Sequence, residues 1–125
     1  MAYRELSMMK NKTLEQVKSY IAKAQTCVIN ITADWCSDCI DQSHNLDAFN
    51  DALEKKQITC YTIAVQAQKN IYLSTEHREF TELLGGHGFP RTVLFIEGKM
   101  ADADNVEIIS SEQLTELSQQ FLQQL

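Results

Sequence analysis

Cys36 and Cys39, separated by Ser37-Asp38, are the residues of this chain whose type and spacing most plainly carry chemistry. Two thiols three positions apart at a helix start lie one turn from each other. The first meets unsatisfied N–H groups and the positive end of the helix dipole, which stabilise its thiolate, and the second is in reach to resolve a mixed disulfide. The same spacing is half of a structural zinc site, but zinc normally takes four ligands there. No second Cys-x-x-Cys or paired His follows, and His44, His77 and His87 are scattered, so no metal is expected. Cys27 and Cys60 stand singly in apolar runs and read as small buried hydrophobes. A regulatory disulfide is their alternative.

The surrounding pattern must place this pair. Leu14, Val17, Tyr20, Ile21 and Ala24 recur at spacings of three and four after Thr13, with Gln16 set for a capping box, which predicts a first helix. The β-branched run 26–32 reads as a buried strand that ends at the cysteines. Cys39, Leu46, Phe49 and Leu53 then follow helical spacing from Cys36 to Leu53 without Gly or Pro. A strand feeding a helix across the Cys pair is the key local arrangement.

A second buried strand is expected over 58–65, and a helix from about Ser74 to Leu84 that stops at Gly85-Gly86 and buries Phe80, Leu83 and Leu84. Phe89-Pro90 leads into a strand over 91–97, Gly98-Lys99 reads as a turn, and 106–109 as an antiparallel strand. The last helix begins near Ser110-Ser111, with Gln113 placed for a capping box and Leu114, Leu117, Phe121 and Leu125 on one side. This order predicts an α/β domain with a central mixed sheet flanked by about four helices.

Length and charge narrow the function. The 125 residues fit one domain over 1–125, with an N-terminal arm over about 1–12 and no linker or repeat. With 11 Lys+Arg against 17 Asp+Glu, nothing offers a footprint for nucleic acid or an anionic membrane surface. The first ten residues lack the apolar stretch of a signal peptide, and no run approaches the ~18 apolar residues of a membrane span. A cytoplasmic protein is expected. In a reducing compartment, a close Cys pair reads as catalytic, redox-active or metal-binding rather than structural.

The sequence Ala33-Asp34-Trp35-Cys36-Ser37-Asp38-Cys39 at a strand-to-helix junction, with Gly88-Phe89-Pro90 entering a strand about fifty residues later, resembles the thioredoxin family over nearly the whole chain. The resemblance implies the thioredoxin fold and a thiol-disulfide oxidoreductase acting on protein disulfides. Cys36 would be the attacking thiol, Cys39 the buried resolving thiol, and Trp35 the aromatic flanking the site. Pro90 would be the cis-proline facing the cysteines, and the Phe89 backbone would pair with an extended substrate chain. The redox group would be the Cys36-Cys39 disulfide itself with no further cofactor, reset by an upstream reductase, in a monomer.

Several positions depart from the family's pattern. Ser37-Asp38 replaces Gly-Pro, and the Asp38 carboxylate disfavours a thiolate beside it, so a less acidic Cys36 thiol and a pair biased towards the reduced state are expected. Asn30 stands where thioredoxins carry a buried acid, and an amide is no general base. The second strand lacks the lysine that partners that acid. His44 falls where the kinking proline of the long helix belongs, and the segment 65–90 is roughly ten residues longer than the family minimum.

The six acids between Asp34 and Glu54, with no Lys or Arg among them, equal the whole net charge of −6 and make an acidic active-site helix that favours basic or neutral partners. Arg91, directly after Pro90, is the cation that could offset Asp38 or hold a substrate carboxylate, or else a solvated strand-end residue. His44 and His87 read as proton shuttles or as surface histidines. Two rival functions remain in view. One is a glutaredoxin-like enzyme, although Gly85-Gly86 precede Pro90 rather than follow its strand. The other is a binding module of the same fold with little turnover.

Overall fold

The computed structural model describes residues 11–125. Thr13 caps α1 (Leu14–Ala22) through the expected capping box with Gln16, and Leu14 and Val17 are buried. The chain then enters β1 (Cys27–Ala33), turns at the cysteines, and continues as α2 (Ser37–Ser43) and α3 (Leu46–Glu54). β2 (Cys60–Gln68) and the two-residue β3 (Ile71–Tyr72) precede α4 (Thr75–Leu83). β4 (Arg91–Ile96), β5 (Lys99–Asp102) and α5 (Ser111–Leu122) complete the described elements.

The five strands form one sheet in the order β3-β2-β1-β4-β5. β1 runs parallel to β2 and antiparallel to β4, so the strand that delivers the cysteines is central and paired on both sides. Side chains alternate across it. Ile29, Ile31, Ile63, Val65 and Val93 join α1 and α4 in one core cluster, while Val28, Cys60 and Leu94 join α3 and α5 in the other. Phe49 of α3 meets Phe121 of α5 edge-on, with centroids 6.3 Å apart, and neither ring is exposed.

Four expectations are corrected. The helix expected from Cys36 to Leu53 is two helices, parted at His44-Asn45 without any proline. Asn45 Nδ2 donates to the Ile109 carbonyl at 3.0 Å and Gln42 Nε2 to that of Ile108 at 3.0 Å, so the break lets the chain bend around the segment before α5. The described residues thus hold five helices around the mixed sheet.

The strand expected over 106–109 is instead β5, which starts at Lys99, and Val106 makes only an isolated bridge to Arg91. Glu97 and Gly98 have φ of 51° and 78°, the twist of a tight type I′ hairpin, so pairing begins at once. A side chain at Gly98 would also meet the Ile21 carbonyl oxygen and the Ala24 Cα.

Leu83 is 72% exposed, because the buried side of α4 is formed by Phe80, Thr81 and the capping Leu84. Leu125 lies beyond α5 and is exposed. The N-terminal arm falls mostly outside the described residues. At its end the Lys12 N–H donates to the Thr62 carbonyl at 2.8 Å, along the free stretch of β2. Among the described residues no helix is long and apolar enough to cross a membrane.

Candidate active site

At the end of β1 the chain reverses tightly: Asp34 N–H donates to the Gln66 carbonyl and Cys36 N–H to that of Ala33. Cys36 thereby becomes the N-cap of α2 in an extended conformation, and its Sγ accepts the Cys39 N–H at 3.2 Å. Sulfur here does what a Ser or Asp oxygen does at other helix starts, satisfying one of the four orphan amides of the first turn. On its other side the Cys36 thiol lies 3.7 Å from the Phe89 carbonyl, to which it donates. The Phe89-Pro90 peptide bond is cis.

The two thiols are 5% and 6% exposed. No disulfide joins any of the four cysteines. Burial, reinforced by the hydrogen bond with Cys36, pushes the Cys39 thiol far above the ordinary range, and the Asp38 charge adds to the rise against an opposing backbone hydrogen bond with Ala33. Of the six acids from Asp34 to Glu54, only Asp38 is half-buried; the others are exposed.

Asp38 is therefore the acid with leverage on the pair. Its charge disfavours the Cys39 thiolate, the form in which the reduced state gains stability over the disulfide, so it biases the pair away from the reduced state, opposite to the expectation. We expect Asp38→Asn to raise the reduction potential of the pair by on the order of 10 mV, measured by equilibration with glutathione. An unchanged or lower potential contradicts this.

Trp35 is held from the side. Its Nε1 donates to Gln66 Oε1 at 2.9 Å, its ring meets Phe89 edge-on with centroids 6.3 Å apart, and the Lys69 ammonium lies 5.8 Å from the ring centroid. Gln66 is fully buried, and its Oε1 also accepts the Asn70 N–H. The β2–β3 hairpin thus braces the active-site tryptophan. Neither Gln66 nor Lys69 was legible as a site residue. The signal was the extra length of the segment after Val65, which supplies this hairpin.

Behind the pair, Asn30 joins a buried amide chain. Thr92 Oγ1 donates to Asn30 Oδ1 at 2.9 Å, Asn30 Nδ2 to Gln42 Oε1 at 2.8 Å, and Gln42 in turn to the Ile108 carbonyl. Every bond in the chain has a fixed direction, and the network ties β1, α2 and β4 together. Asn30, Cys39 and Gln42 also line a cleft of about 1110 Å³.

Arg91 corrects both of its expected roles. It is 6% exposed, so it is not a solvated strand end, and its guanidinium is engaged by backbone, so it neither offsets Asp38 by contact nor presents itself to a substrate carboxylate. Nη1 donates to the Ala103 carbonyl and Nη2 to that of His87, each at 3.1 Å.

His44 caps the end of α2 opposite Cys36, whereas the His87 ring lies 5.5 Å from that of Phe89. Cys27 and Cys60 belong to the two different core clusters, on opposite faces of the sheet, which leaves no geometry for a bond between them. Burial pushes the Cys27 thiol up to about 11.

No family model matches the chain, and no curated protein matches it. Solved structures do. Thioredoxin from Malassezia sympodialis (Mala s 13) superposes with a TM-score of 0.62 at 18% identity, covering 87% of this chain and 85% of that one. The oxidised form of mitochondrial thioredoxin 3 from Saccharomyces cerevisiae gives 0.63 at 17% identity over 91% of each chain. Human ERp44 gives 0.62 at 16% identity, and this chain spans 31% of its length. With the cysteine pair at the β1–α2 junction and Pro90 at the start of β4, the chain has the thioredoxin fold.

Proposed function

We propose that the protein is a thiol-disulfide oxidoreductase that reduces or exchanges protein disulfides through Cys36 and Cys39. The observation that carries this reading is the setting of the Cys36 sulfur, which caps α2 beside the Cys39 amide and lies against the Phe89 carbonyl. In the reaction, the Cys36 thiolate attacks one sulfur of a substrate disulfide. That S–S bond breaks, and the leaving sulfur departs as a thiolate that takes up a proton. The Cys39 thiol then loses its proton and attacks the Cys36 sulfur, which releases the second substrate thiol and closes a Cys36-Cys39 disulfide. Two electrons pass to the substrate, and an upstream reductase restores the dithiol.

The site gives each neighbour a part in this scheme. Phe89 makes no backbone hydrogen bond among the described residues, its carbonyl accepting only the Cys36 thiol, and in this reading its backbone edge pairs with an extended peptide. In this reading Trp35 and Pro90 would wall a shallow groove for that peptide. The partners are protein disulfides, with no role for nucleic acid or membrane, and a monomer acting in the cytoplasm suffices. A glutaredoxin-like use of Gly85 is disfavoured, because that glycine lies against the Arg91 guanidinium rather than beside an open groove.

A second reading, a binding module with little turnover, is favoured by one observation: the buried Asn30–Gln42 amide chain offers the resolving thiol no base. Insulin reduction with dithiothreitol as electron source separates the two. The oxidoreductase reading expects turnover that Cys36→Ser abolishes. Turnover that survives Cys36→Ser, or none in the wild type, overturns it.

A further inference from the structure

Arg91 is a buried cation with an incomplete set of partners. No carboxylate among the described residues pairs with it, and its Nε is buried with no hydrogen-bond acceptor. Among the described residues, its two terminal nitrogens hold two backbone carbonyls, those of His87 and Ala103. Burying a charge with no counter-ion is costly, and an apolar side chain of similar volume would do better if packing were the only requirement. The surroundings are nevertheless shaped around the guanidinium. Gly85, at φ +126°, leaves it space that a Cβ would take from Nη1, and Gly88, at φ +123°, lies alongside Nη2. The fork therefore spans from the loop that follows α4 to the loop that follows β5.

The loop it grips from one side leads straight into the site. His87 is two residues before Phe89, and their rings meet edge-on. From the other side, the Pro90 carbonyl accepts the Glu107 N–H at 2.8 Å, and Arg91 itself pairs with Ile31 of β1 and with Val106. Phe89 stands between these anchors with its carbonyl on the Cys36 sulfur.

We propose that Arg91 is a positioning residue for disulfide exchange, its guanidinium fork fixing the 85–90 loop so that the Phe89 backbone edge is held over Cys36 for a peptide substrate. The inference rests on the exchange reaction proposed above. It predicts a selective defect: a protein substrate needs that edge, whereas a small disulfide needs only the thiol.

The test measures steady-state reduction of insulin and of hydroxyethyl disulfide by the full chain, in wild type, Arg91→Met and Arg91→Lys, with circular dichroism to show folding. Arg91→Met is expected to fold, to raise KM for insulin about tenfold with little change in kcat, and to leave the hydroxyethyl disulfide rate within twofold. Arg91→Lys keeps the charge but not the fork, and should resemble Met rather than wild type.

Four results overturn the proposal while leaving the exchange reaction standing. They are an unchanged KM for insulin, an equal loss on both substrates, a Lys variant that matches wild type, and loss of folding in both variants, which would make Arg91 structural. A wild-type protein that reduces neither disulfide overturns the exchange reaction itself, and this inference with it.

Discussion

Cys39→Ser is expected to stop turnover after a single chemical step and to leave Cys36 covalently joined to its substrate. The attacking sulfur and its groove are untouched by the change, so the first S–S exchange proceeds. No second thiol then lies one helical turn away to release the product. Non-reducing electrophoresis after mixing with insulin should show a mixed disulfide that accumulates in Cys39→Ser, is transient in wild type and is absent when Cys36 is also replaced.

The same step has a pH signature in the wild type. Burial, the largest cause in the dithiol and one that does not depend on the Cys36 thiol, holds the Cys39 thiol protonated well above neutrality. With only a small thiolate fraction available, resolution should quicken by about tenfold per pH unit through the neutral range, because the nucleophile is the thiolate. A mixed disulfide that breaks down at a pH-independent rate contradicts this picture, as would a Cys39→Ser protein that turns over normally.

Asn30→Asp is expected to cost on the order of 3 kcal/mol of stability at neutral pH. In the native network Asn30 donates to Gln42 and accepts from Thr92, while Gln42 donates onward to Ile108. A carboxylate at position 30 keeps the bond from Thr92 but opposes its charge to the Gln42 carbonyl oxygen. Flipping Gln42 relieves that clash only by facing the oxygen towards the Ile108 carbonyl. Either way two acceptors meet.

The new carboxyl is buried without a counter-ion, so its folded pKa lies above its unfolded value of about 3.9. Stability is then fully retained below about pH 4 and falls as pH rises towards the folded pKa, by about 1.4 kcal/mol per pH unit. Urea denaturation midpoints across that range should separate from wild type as pH increases. Curves that stay parallel would show that Asn30 is not held in this network.

The elements that were legible in the chain are those whose pattern is local. β1, β2 and β4 are runs of β-branched and apolar residues paired in the middle of the sheet. The caps at Thr13 and Ser110 were visible because a capping box is a four-residue signal. β5 was not, since Lys99-Met100-Ala101-Asp102 lies at the sheet edge, mostly exposed, and has no apolar alternation to show. The break between α2 and α3 was hidden for a different reason. It depends on Asn45 and Gln42 bonding to carbonyls more than sixty residues away, and the partner in such a bond is backbone, which leaves no mark in composition.

The site divides along the same line. Cys36, Cys39, Trp35, Phe89 and Pro90 stand out in the chain by type and order, and the structure brings the Cys36 sulfur and the Trp35 ring to Phe89. Arg91 was misassigned because charge alone suggested a free cation beside the cysteines, whereas its partners are two main-chain carbonyls. Gln66 and Lys69 carried no signal of type. Only the excess length between Val65 and Pro90 hinted at the hairpin that holds Trp35.

A single-turnover thiol balance tests disulfide exchange through Cys36 and Cys39. Fully reduced protein is mixed with insulin, quenched by alkylation and mapped by peptide mass spectrometry. The protein should lose two thiols as insulin gains two, the new bond should link Cys36 to Cys39, and Cys27 and Cys60 should be alkylated after denaturation. Insulin that stays oxidised, or a bond that omits Cys36, would contradict it.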